Sequence, residues 1–287
     1  MKTWIFARKN SPYSILLLLM LLVGCRAISP EERAESRLRH EIATQQGYRQ
    51  IRAAEALGRP QPDFPIDAVD PRVRIGQYRV RLAAGQEEYA AMLRSTALDP
   101  NSPARYHGLE SSAKLRVTFS APERDKLRAL TDGTDSAAAG YALWALAANH
   151  DVEAQKRLTR ELESPSALAS DCAYASGFLP ELPEERRTAL LRLSAGSDQT
   201  AAFALWALAR HNAIDATAIR ARLAALPEKT PEKILRFHLA ALGEVGTSED
   251  LPRLASFLDS PEPEIVNAAA GAILKIRAAS ASLRSTR

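Results

Sequence analysis

One short run of residues is repeated, and that constrains the fold more than any other feature of the sequence. Ala142-Leu143-Trp144-Ala145-Leu146-Ala147 returns as Ala204-Leu205-Trp206-Ala207-Leu208-Ala209, 62 residues later. Halving the interval to 31 residues finds a weaker copy, Ala173-Tyr174-Ala175-Ser176-Gly177-Phe178. His238-Leu239-Ala240-Ala241-Leu242 and Ala269-Ala270-Gly271-Ala272-Ile273 follow at steps of 34 and 31 residues. Alanine is the strongest helix former, so each copy reads as a tightly packed helix. Between the copies lie more charged helical stretches: Val152 to Glu163, Pro183 to Ser194, Ile214 to Leu226 and Glu249 to Leu258. Turns are expected at Ser164-Pro165, Ala195-Gly196, Pro227-Glu228 and Ser260-Pro261. The unit is helix, turn, helix, turn. A unit of this kind cannot bury both its helices alone, so stacking must supply the core.

The sequence therefore predicts a mainly α protein: an α-solenoid of about five helix pairs over residues 120–279, with a tail at 280–287. Trp144 and Trp206 occupy one phase of the repeat and are expected in the core. His150 and His211 fall at helix ends, where histidine and asparagine suit the dipole and the left-handed cap. Cys172, in an alanine-rich helix, reads as a small buried side chain.

The last copy resembles a known family. Ala241-Leu242-Gly243-Glu244-Val245-Gly246, Leu251-Pro252-Arg253-Leu254, Phe257-Leu258-Asp259 and Val266-Asn267-Ala268-Ala269-Ala270 are similar to short HEAT repeats related to those of phycobilisome lyases. The match is good over about 240–275 and fades to spacing alone toward residue 122. Family members often carry arginine after the valine of the second helix, where this chain has Asn267. The resemblance implies HEAT-like helix pairs and a binding surface rather than an activity, because this scaffold hosts many functions.

The N-terminus has the plan of an export signal. Lys2, Arg8 and Lys9 precede an uninterrupted apolar run from Ile15 to Val23, nine residues long. A membrane span needs about 20 such residues, so the run suits a cleaved signal at 1–24 instead. Leu22-Val23-Gly24-Cys25 resembles the lipobox of bacterial lipoproteins. That resemblance implies lipidation of Cys25 after cleavage and a durable membrane anchor through two or three acyl chains. Arg26 follows the cysteine in place of the aspartate that commonly retains lipoproteins at the inner membrane. The expected location is therefore the cell envelope, on the periplasmic face of the outer membrane in a Gram-negative host.

Between anchor and repeats, residues 25–66 read as a helical spacer and linker. The spacer helix starts at Ser29-Pro30-Glu31-Glu32 and stops near Gly58-Arg59-Pro60; Pro60, Pro62 and Pro65 then extend the chain. Residues 67–119 read as a small α/β segment. Arg72-Val73-Arg74-Ile75, Arg79-Val80-Arg81-Leu82 and Lys114-Leu115-Arg116-Val117-Thr118-Phe119 alternate as strands do, and Gln86 to Thr96 reads as a helix between them. On this reading Arg72, Arg74, Arg79, Arg81, Lys114 and Arg116 share a basic face. That face either contacts anionic headgroups or an acidic partner, or uses charge to protect a sheet edge.

The pI near 9.1 does not indicate nucleic acid. Lys2, Arg8 and Lys9 account for three of the 38 basic residues and lie in the expected signal, which has no acid; removing it leaves 35 basic against 34 acidic side chains. A nucleic-acid binder shows a concentrated basic footprint instead. The five histidines (40, 107, 150, 211, 238) are dispersed, without metal-ligand spacing. There is no phosphate-cradling glycine loop and no serine elbow. The sequence thus points to a lipid-anchored scaffold or adaptor that binds a protein partner, with no cofactor, no metal and no catalytic residue expected. An enzyme or lyase-like accessory, and a binder of anionic lipid or polyanion through 72–116, are the alternatives.

Overall fold

The computed structural model describes residues 28–164 and 166–285; the expected signal, Cys25 and Pro165 of one expected turn lie outside them. Fifteen α-helices fill this span, with no strand among the described residues. They are α1 (Pro30–Thr44), α2 (Tyr48–Leu57), α3 (Pro71–Ala83), α4 (Glu88–Leu98), α5 (Arg105–Lys114), α6 (Ala121–Thr131), α7 (Ser136–Ala148), α8 (Val152–Glu163), α9 (Ala169–Ser176), α10 (Glu184–Leu193), α11 (Gln199–Arg210), α12 (Ala216–Ala225), α13 (Glu232–Val245), α14 (Leu251–Ser256) and α15 (Pro263–Ser285). Short 3-10 turns flank α14 at Ser248–Asp250 and Phe257–Asp259.

From α6 onward the helices form the five expected pairs, α6/α7 to α14/α15. An aspartate caps α7, α8, α11 and α12: Asp135, Asp151, Asp198 and Asp215 accept the backbone N–H three residues on, at 2.8–3.1 Å. The alanine-rich helices α7, α9, α11, α13 and α15 pack side by side as an inner layer, with the charged helices outside. Small residues let the inner layer close up. A Cβ on Gly243 of α13 would lie 2.6 Å from Cα of Ala272 on α15. Outside, an arginine ladder joins successive repeats: Arg157 donates to the Thr131 carbonyl and Arg192 to those of Leu162 and Glu163, with Arg222 donating to that of Ser194. Each arginine thereby satisfies the bare carbonyl end of the preceding outer helix.

The first helices belong to the same array. Gly47, at φ +68°, breaks the expected spacer helix into the hairpin α1/α2. This hairpin packs on α15, the last helix. Gly271 of α15 lies against Ala56 of α2, with 3.3 Å from an added Cβ to that of Ala56. Arg33 pairs with Asp259 at 2.9 Å and Arg277 with Glu31 at 3.7 Å. The inner layer therefore runs α2, α3, α5, α7, α9, α11, α13, α15 and back to α2, as a closed ring.

The expected strands are absent. Residues 72–82 lie in α3, started by Pro71 and by Asp70, whose side chain accepts from the Arg72 backbone at 2.8 Å. A few alternating residues satisfy a helical period as well: Ile75, Arg79 and Leu82 are buried at i, i+4 and i+7. The second expected strand begins with Lys114, the last residue of α5. Arg116 then reverses the chain at φ 53°, and Val117 to Phe119 continue as a connection with Val117 and Phe119 buried. The alternation there is real, but it belongs to a loop with no sheet beside it.

Candidate functional site

The inner helices present one stripe each to the ring axis, spaced at i, i+3 or i+4, and i+7. On α2 it is Tyr48, Arg52 and Glu55, and on α5 His107, Glu110 and Lys114. On α7 it is Tyr141 and Trp144, on α9 Asp171, Tyr174 and Phe178 (just past its end), on α11 Phe203, Trp206 and Arg210, and on α13 Lys233 and Phe237. The α2–α5 side is ionic and the α7–α13 side aromatic.

On the aromatic side Tyr174 is the centre. Its ring lies 5.0–5.7 Å from those of Trp144, Phe178, Phe203, Trp206 and Phe237. Trp144 and Trp206 are 1% and 5% exposed, as the repeat phase predicts. Four cations cover these faces: Lys114 over Tyr174, Arg210 over Phe178 and Trp206, Lys233 over Phe203 and Arg236 over Phe237, all at 5.1–5.3 Å.

On the ionic side Arg79 of α3 donates to Glu55 at 2.6 Å and to Ser111 at 3.0 Å. Lys114 pairs with Glu110 at 2.7 Å, and Arg236 with Glu264 of α15 at 2.6 Å. Arg52 sits between Glu55 and Glu264, at 3.8 and 3.9 Å. Glu110 is the electrical hub. Burial pushes its carboxyl up, but Lys114, Arg79 and Arg52 overcome burial and hold it down at about 2. Asp171, from α9, goes the other way: burial raises it and Glu110 adds to that, against the pull of Lys233. Burial, with Arg236 beside it, lowers Lys233. These groups come from several inner helices, and the Arg52–Glu264 pair joins the first hairpin to the last helix.

The six basic residues expected on one face are divided. Arg79 and Lys114 point into the ring and are tied to Glu55 and Glu110. Arg72 is exposed near Tyr48 and His107, at the mouth where α2 and α5 begin. Arg74 is exposed and donates to the Ala68 carbonyl at 2.8 Å. Arg81 lies against Tyr89, 5.9 Å from the ring centroid. Arg116 is exposed at the opposite mouth and donates to the Phe178 carbonyl at 3.2 Å. A shared sheet face required strands; the helical turn of α3 sends its arginines in different directions.

His150 and Asn212 take left-handed conformations at helix ends, φ 62° and 53°, and His211 Nε2 lies 3.0 Å from the Ser176 carbonyl. Cys172 is buried, and burial pushes its thiol up, away from reactivity. Among the described residues no group of three or more His, Cys, Asp or Glu is placed to hold a metal ion, and no helix is long and apolar enough to cross a membrane. Sequence reasoning missed Arg52, Glu110, Asp171, Lys233 and Glu264. The signal for them was the i, i+3, i+7 stripe on the inner helices, continued across both ends of the chain. No family model matches the chain, and no curated protein matches it.

Proposed function

We propose that this chain is a lipid-anchored envelope adaptor that binds a protein partner at the mouths of its helical ring. The observation that carries this reading is the occupancy of the ring axis by the protein's own side chains. Tyr174 sits among five rings on one side, and ion pairs line the other. A small molecule prefers a preformed concave pocket with a few free polar groups; side chains already committed to one another leave the rims as the surface for a partner. At one rim Tyr48 is 39% and Val69 88% exposed, which makes them accessible positions for a crosslinker there. The anchor follows from Leu22-Val23-Gly24-Cys25 and the apolar run before it. In cells Cys25→Ser is expected to leave uncleaved precursor and remove incorporation of labelled acyl chains, and photo-crosslinkers placed at the two rims are expected to join the anchored protein to another protein. Normal processing of that variant, or crosslinkers that capture nothing at either rim, sinks this reading.

A second reading, an enzyme accessory, is favoured by one observation: Glu110 and Asp171 are neighbouring carboxyls shifted in opposite directions, a pattern that separates acid from base in catalytic sites. It ranks second because Glu110 is committed to Lys114 at 2.7 Å and held far below neutral pH.

A further inference from the structure

We infer that the mouth formed where α5, α9 and α11 end is a docking site for an acidic peptide segment of a partner protein. Arg116 and Arg210 clamp its carboxylate, and the recess beside Arg116 takes the adjacent stretch of peptide. The inference deepens the adaptor reading above and rests on it.

Two guanidiniums meet at one residue. Arg210 stacks 5.2 Å from the Phe178 ring centroid and 5.3 Å from that of Trp206. Arg116 donates one N–H to the Phe178 carbonyl at 3.2 Å. Both are exposed, and among the described residues neither has a carboxylate within ion-pair distance. A guanidinium has five N–H donors in a planar fork, so most of those at this mouth are unspent. Stacking on Phe178 and Trp206 pre-orders Arg210, which lowers the entropy lost on gripping a planar anion. Arg116 is held in place by a left-handed backbone, φ 53°, which a residue with a Cβ seldom adopts.

Next to Arg116 is a recess of about 370 Å³ with a mostly polar surface, lined by Leu82, Ala90, Leu115 and Val117 together with Glu87, Arg94 and Thr118. A carboxylate at the clamp and a neighbouring stretch of polar backbone in the recess match a short peptide. A lipid surface would engage a broad basic patch, and the exposed Arg49 and Arg72 lie at the opposite mouth. The bland role for these arginines is to satisfy carbonyls at helix C-termini. That role accounts for the single bond from Arg116 and for the place of Arg210 in the last turn of α11, but not for the stacking of Arg210 on Phe178 and Trp206.

The test uses the detergent-solubilised full-length chain and a fluorescein-labelled peptide, Ser-Gly-Leu-Glu-Gly-Ser, read by anisotropy, with Gln in place of Glu as control. The Glu peptide is expected to bind saturably and the Gln peptide about tenfold more weakly, the loss of a charge-assisted bond. Arg210→Gln, and separately Arg116→Gln, should weaken the Glu peptide about tenfold, with thermal melts checking that each variant is folded. Arg210→Lys should not rescue binding, because lysine neither forks nor stacks as arginine does. Equal binding of the two peptides, or loss of neither by the folded variants, overturns the proposal. So does binding to phosphatidylglycerol vesicles that the same two substitutions abolish while peptide binding is absent. A photo-crosslinker at Thr118 beside the recess separates this inference from the adaptor reading. Capture from Val69 but not from Thr118 removes the clamp and leaves the adaptor; capture from neither removes both.

Discussion

Trp206 shows how much a single side chain carries in this ring. Its indole meets Tyr174, Phe178 and Phe237 at 5.0–5.6 Å and is stacked by Arg210. Gly177 is kept bare because a Cβ there would lie 2.4 Å from the indole. Truncating a buried tryptophan costs about 3–5 kcal/mol, a large share of a domain's usual stability of roughly 5–15 kcal/mol. Trp144→Ala and Trp206→Ala should therefore each lower the urea midpoint sharply; a variant as stable as the parent would contradict the core assignment. Glu110 gives a pH-dependent counterpart. Its folded value near 2 lies below the ordinary 4.5, so the stabilisation is complete above pH 4.5 and disappears as pH falls toward 2, at most about 3 kcal/mol. Glu110→Gln should flatten the urea midpoint across that window relative to the parent. An unchanged slope would show that the ion-pair hub is not electrically coupled to folding. The tryptophans were legible in the sequence because repetition fixed their phase. Glu110, Arg52 and Asp171 were not, because charges on a helix stripe look the same facing a ring axis as facing water.

At the scale of elements, the repeat helices were readable because capping, alanine content and period agree. Val152–Glu163 matches its expected bounds residue for residue, and Asp151 caps its start by accepting from the Ala154 backbone. The segment before them misled because its alternation is short. Four residues of Arg-Val-Arg-Ile satisfy a period of two, and only the Asp70 cap and Pro71 mark α3 as a helix. Leu115 and Arg116 form a turn after α5, so the alternation of Val117 to Phe119 belongs to a connection rather than a strand. Helix spacing makes its own prediction. Gly243 faces the backbone of Ala272, which cannot move as a side chain tip does. Gly243→Ala should push α13 and α15 apart at a cost of roughly 1–3 kcal/mol, despite alanine's better helix propensity. A thermal melt at or above the parent's would show that the two helices are less tightly pressed than their geometry indicates.

For the whole molecule, what the sequence hid is closure. A repeat signature predicts an open stack whose ends need caps, and nothing in the period says that the first hairpin will cover the last helix. The pairing depends on side chains more than two hundred residues apart, Arg33 with Asp259, Arg277 with Glu31 and Arg52 with Glu264. Closure in turn sets the ring axis and its two mouths, so it is the claim on which the account of the whole molecule depends. The direct measurement is a cysteine pair across the seam, Ala56→Cys with Gly271→Cys, where an added Cβ on Gly271 stands 3.3 Å from that of Ala56. Disulfides favour Cβ separations of about 3.5–4.5 Å, so a shift of a few tenths of an ångström brings the two thiols into bonding range, and buried Cys172 does not compete. A closed ring predicts rapid oxidation of the purified monomer to a species of faster non-reducing gel mobility, with a raised melting temperature. Thiols that remain free under the same oxidant, or that link only between molecules, would mean that the array is open and that its ends do not meet.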